Sequence, residues 1–149
     1  MMRRILGVVL GYATMAVFIF LTFSLLYLIL GADGSFEPKS YDVSLIWIII
    51  SFIFGIIAAV LGGYVCVLIS KSQTPSMVLS ALVLVIGLTL GISQLGPQIN
   101  EVQEVRTESV PNWDAMQKAK QPAFILLMNP IIGALSVLGG SRLKKEYDD

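Results

Sequence analysis

Residues 43–70 read VSLIWIIISFIFGIIAAVLGGYVCVLIS, a run without a single Asp, Glu, Lys or Arg. Wound as a helix, it is apolar on every side rather than along one stripe. That pattern belongs in a very large core or in lipid. A hydrocarbon layer of about 30 Å is crossed by roughly 20 apolar residues of helix, and this run exceeds that length. Its reading decides the rest of the chain.

Three further charge-free runs flank it: Ile5–Leu30, Ser72–Asn100 and Gln121–Ser141. The charged residues fall between the runs or at the chain ends. With 56% hydrophobic residues in 149, little remains to cover four such helices in water, so a soluble globular domain is excluded. The expected architecture is an all-α integral membrane protein with one domain, 1–149, and spans at about 5–30, 43–70, 75–97 and 122–141. Arg3 and Arg4 before the first run resemble the start of a signal peptide. That run outlasts the roughly 7–15 residues of a signal core, so it is expected to remain as a helix.

Orientation follows from Lys and Arg near the span ends. Arg3, Arg4, Lys71, Arg142, Lys144 and Lys145 lie on one side of an alternating topology. Lys39, Arg106, Lys118 and Lys120 lie on the other, in longer loops. The expected location is a bacterial-type inner membrane with both termini cytoplasmic. Lys71–Pro75 reads as a tight inner turn, with Pro75 suited to the first turn of the third helix. Two helical hairpins follow, one on each side of it. Gly31–Asp42, with Asp33-Gly34 and Glu37-Pro38, is a short outer connection. The extramembrane segment 98–121 spaces Ile99, Val102 and Val105 by three. Val110, Trp113 and Met116 repeat that spacing beyond Pro111. This predicts a short outer amphipathic helical segment between the third and fourth spans.

Each span carries a stripe of small residues. The positions assigned to helix packing are Gly7 and Gly11; Gly55, Ala59, Gly62 and Gly63; Gly87 and Gly91; and Gly133 and Gly140. Spacings of four and three give the period that keeps one seam on a partner in left-handed packing near +20°. Lipid tails supply no hydrophobic force between helices. Close backbone approach and interhelical hydrogen bonds must supply the attraction. The stripes therefore predict a compact left-handed bundle. Val60-Leu61-Gly62-Gly63 recurs as Val137-Leu138-Gly139-Gly140. The second copy sits beside the inner surface and the first about two turns deeper by helical rise, which reads as chance similarity.

Chemistry has few footholds. No ionisable residue lies inside a span, where one would mark an ion or proton path. Histidine is absent and the only cysteine is Cys66, so no cofactor or metal is expected, and no basic patch suits nucleic acid. Glu101, Glu104, Glu108 and Asp114 read as a solvated helix face. The remaining polar set is Asn129-Pro130 in the fourth span and Gln94 in the third. Pro130 frees the carbonyl of Leu126 and predicts a kink. With Asn129 and Gln94 facing each other, the three would line a candidate polar cavity. The leading expectation is a non-catalytic subunit, scaffold or assembly partner, working against the lipid bilayer, another membrane protein or itself. The alternative is a channel or transporter for a small neutral or lipidic solute.

Overall fold

The computed structural model describes residues 2–95, 106 and 110–145, the last without its side chain. Five helices follow in order: α1 Met2–Ser35, α2 Leu45–Ser70, α3 Thr74–Gln94, α4 Asn112–Lys118 and α5 Ala123–Lys145. Four of them, all but α4, are long and apolar enough to cross a membrane. The expected contacts of Ile99, Val102, Val105, Glu101, Glu104 and Glu108 lie outside the described residues.

Local chemistry fixes the helix ends. At Gly31 the backbone leaves the helix with φ 66° and ψ −176°, a region essentially reserved for glycine. The charge-free run ended one residue earlier, at Leu30. Ser44 caps α2: its hydroxyl accepts from the Trp47 N–H at 3.2 Å and donates to the Gly34 carbonyl at 2.7 Å. Lys71 closes α2 in the left-handed conformation, φ 52°, with its N–H on the Val67 carbonyl. Pro75 sits in the first turn of α3. The fourth span runs to Lys145 rather than stopping at Ser141, because a helix need not end where the hydrocarbon does.

The packing order differs from the chain order. α2 lies against α1 on one side and α5 on the other, and α3 lies against α5. Contacts of α3 with α1 and α2 are minor, and α1 does not touch α5 among the described residues. Hairpins α1/α2 and α3/α5 thus join chiefly through α2 and α5. At one end of the bundle the start of α1, the Lys71 turn and the end of α5 converge. Gly7 meets Ser70 there, and the Gln73 amide donates to the Ser141 carbonyl at 3.0 Å.

Two cores result. The first comprises Met15, Ala59, Cys66, Leu79 and Val137 in the half near the termini. The second, at the opposite end, is an aromatic cluster of Tyr27, Phe36, Tyr41 and Trp47 with Val43 and Ala115. Large apolar side chains between them point outward: Val17 is 57% exposed and Leu21 55%. Water would not tolerate such a surface, whereas lipid matches it. The chain is a small multi-pass helical membrane protein.

Candidate functional site

The seam residues divide by what their missing side chains leave room for. Gly63 and Gly140 stand closest: a Cβ on Gly63 would collide with the Val137 carbonyl, and one on Gly140 with the Val60 carbonyl. The α2–α5 crossing is therefore backbone on backbone. Its residues are the two Val-Leu-Gly-Gly copies, each offering its Val carbonyl to the other's final Gly. The expected difference in depth is not found, because α5 continues past Ser141 and brings Gly140 level with Val60.

Gly7 and Gly11 serve the α1–α2 contact, against the backbone carbonyls of Cys66 and Gly62 respectively, while Gly62 accommodates Met15. Ala59 is 1% exposed in the core near the termini. Gly133 meets Val83 at an ordinary 3.4 Å, and nothing lies within 4 Å of a Cβ on Gly55. Gly55 is thus a seam position by spacing without a close neighbour.

Gly87 and Gly91 belong to the proline. A Cβ on Gly87 would lie 2.8 Å from the Pro130 ring, and one on Gly91 2.6 Å from the Leu126 carbonyl oxygen. Pro130 is buried in this contact. One turn further along, the Ser80 hydroxyl donates to the Ala134 carbonyl at 2.9 Å. A buried interhelical bond of this kind contributes about 0.6–2 kcal/mol.

Asn129 and Gln94 are both exposed. Pro130 is packed on Gly87, and the structure brings no buried polar pair together from these three residues.

Sequence reasoning missed Arg106. Its side chain is 6% exposed and bonds Asp33, 96% exposed, at 2.9 Å. Its backbone N–H reaches the Lys39 carbonyl at 3.2 Å, its Nε the Ser40 carbonyl at 3.3 Å, and its guanidinium carbon lies 5.9 Å from the Phe36 ring centre. Asp33 is so exposed that solvent screens much of the ion pair. The clamp owes more to its fit over the 36–44 turn. Nearby, Tyr27 donates to the Val110 carbonyl, the Asn112 amide donates to Ser24 Oγ at 3.0 Å, and Lys120 pairs with Tyr41 and Val43. These bonds draw Arg106 and residues 110–120 over the α1–α2 turn as a cap. In α4 the residue against the bundle is Ala115, while Trp113 and Met116 are exposed. No local signal marks the Arg106–Asp33 pair, whose members are 73 positions apart.

Among the described residues no group of three or more His, Cys, Asp or Glu is placed to hold a metal ion. Compared with protein-family models, curated proteins and solved structures, the chain matches none.

Proposed function

We propose that this chain is a non-catalytic subunit, scaffold or assembly partner of a bacterial-type inner membrane, with both termini cytoplasmic. The observation that carries the reading is how the small residues are used. Most of them are taken up by neighbouring helices, from Gly7 on Cys66 to Gly140 on Val60. The outward surface is left as broad apolar faces. A bundle closed in this way offers its surface, rather than its interior, to whatever it works with. Left-handed crossing of the two hairpins and an amphipathic seat for the outer connection complete the picture.

The transport alternative has less support. Its polar lining was to be Gln94, Asn129 and Pro130, of which the first two are exposed and the third is packed on Gly87. Purification from native membrane in mild detergent, with mass spectrometry of co-eluting proteins, tests the proposal. A stoichiometric membrane-protein partner is the expected result. A lone chain carrying a small molecule in constant ratio would favour transport instead.

A further inference from the structure

Trp113, in the first turn of α4, is 64% exposed, and Met116, nearly one turn on, is 37% exposed. Where they point follows from the contacts of their neighbours. Ala115 is buried in the aromatic cluster and Ala119 packs against it, while the Asn112 amide donates to Ser24 Oγ. These three define the inward side of the helix. On one flank of it, the Lys118 ammonium lies 5.3 Å from the centre of the Tyr41 ring, in the 36–44 turn. At about 100° per residue, Trp113 stands roughly 140° and Met116 roughly 160° around the helix from Lys118. The two apolar side chains form the flank turned away from that turn.

The height of this flank is fixed by the bonds at the two ends of α4. The 3.0 Å contact of Asn112 with Ser24 Oγ holds the first turn beside Ser24 of α1. Ser24 follows Arg4 by 20 residues, about 30 Å by helical rise, and a hydrocarbon core is about that thick. Beyond Ser24, α1 still turns Leu25 and Leu28 outward, 59% and 73% exposed. Past the other end of α4, Lys120 bonds to the backbone of Tyr41 and Val43. The tryptophan end therefore lies at the edge of the hydrocarbon and the lysine end at the loop above it.

We propose that α4 is an interfacial anchor, with Trp113 and Met116 seated in the headgroup layer of a phospholipid bilayer at the capped end of the bundle. An indole has a large apolar body and one N–H that donates but cannot accept. Phospholipid supplies both complements at this height: upper acyl chain for the ring, and ester or phosphate oxygens for the N–H. The seat continues the lipid-facing surface of α1, where Leu21, Leu25 and Leu28 are exposed. The cap is thus held from two sides, by its bonds to α1 and the 36–44 turn and by the bilayer itself.

This inference deepens the amphipathic seat proposed above for the outer connection, and it holds with or without a protein partner. The test places the full chain in phosphatidylcholine vesicles whose acyl chains carry bromine either near the glycerol or near the methyl end. Tryptophan fluorescence is read for the unsubstituted chain and for Trp113→Phe, and the difference separates Trp113 from the buried Trp47. Bromine near the glycerol is expected to quench that difference roughly threefold more strongly than bromine near the methyl end, with little quenching by aqueous iodide. Ready quenching by iodide and none by either bromolipid puts Trp113 in water and overturns the proposal. Stronger quenching from the methyl end places the ring near the midplane and overturns it as well. In native membranes, a photoactivatable benzophenone residue at position 113 is expected to attach to phospholipid. Attachment to another membrane protein overturns the lipid seat and leaves the subunit reading standing. Attachment to phospholipid in a chain that co-purifies with no protein supports the seat and counts against the subunit reading.

Discussion

Gly91 lies against the carbonyl oxygen of Leu126, the one acceptor in α5 that Pro130 deprives of its helical donor. A Cβ at Gly91 would stand 2.6 Å from that oxygen, so only a glycine lets the α3 backbone come this near. A Cα–H contact is a weak substitute for an N–H donor, worth about 0.5–1 kcal/mol on general grounds. It nonetheless serves a group that lipid could not. Gly91→Ala is expected to destabilise the bundle by about 1–3 kcal/mol through overpacking. In a double-mutant cycle with Pro130→Ala, the two changes should couple by at least about 0.5 kcal/mol. Unfolding measured by steric trapping in bicelles reads both numbers, and additive effects would show that the glycine does not serve the kink.

The crossing of α2 and α5 predicts a contrast among glycines of the same helix. Gly63→Ala drives a methyl group into backbone and should cost about 3 kcal/mol or more, at or beyond the upper end of overpacking penalties. Gly55→Ala meets nothing within 4 Å and gains helix propensity, so it should leave stability unchanged or raise it by up to about 1 kcal/mol. The same unfolding assay distinguishes them. A costly Gly55→Ala would mean that its open side is covered in the membrane.

Arg106 is expected to hold the cap shut. Arg106→Ala removes the guanidinium from its place over Phe36 and from Ser40, and should raise the rate of tryptic cleavage after Lys39 about tenfold, equivalent to roughly 1.4 kcal/mol of local opening. Asp33→Asn should change that rate far less, because the carboxylate is exposed and its pairing screened. Similar rates for the two variants would make the ion pair, rather than the fit, the source of closure.

Gly31 carries the break within α1. Any residue with a Cβ is strained at its φ of 66° and ψ of −176°, so Gly31→Ala is expected to cost about 1–3 kcal/mol. The loss should be visible as faster hydrogen exchange in residues 32–44, with α2 unaffected below Trp47. Uniform exchange across the bundle would locate the strain elsewhere.

How much of this was legible in the sequence depends on the range of the interaction. The four spans were, because absence of charge over more than 20 positions is a property of contiguous residues. The break at Gly31, the Ser44 cap region and the Lys71 turn sit at the ends of those runs for the same reason. Small residues at spacings of four and three marked positions such as Gly11, Gly63 and Gly91, where backbones now touch. Spacing alone carried no information on which helix each one meets, and Gly55 meets none closely. Asn129 and Gln94 were weighed as a pair facing each other, yet both are exposed, because spacing along one helix does not tell how closely its neighbours approach at that depth. The cap was invisible because Arg106, Asp33, Tyr27 and Val110 come together from distant parts of the chain.

The order of helices around the bundle has a consequence for biogenesis. α2 and α3 are neighbours in the chain, yet they touch little; α5 is the principal partner of α3 and the second partner of α2, after α1. While the ribosome is still making residues 112–145, the Gly63 face of α2 and the Gly87–Gly91 face of α3 have no helix to receive them. The α1–α2 hairpin can therefore form early while α3 stays loosely attached in the bilayer, and α5 closes the structure by inserting between α2 and α3.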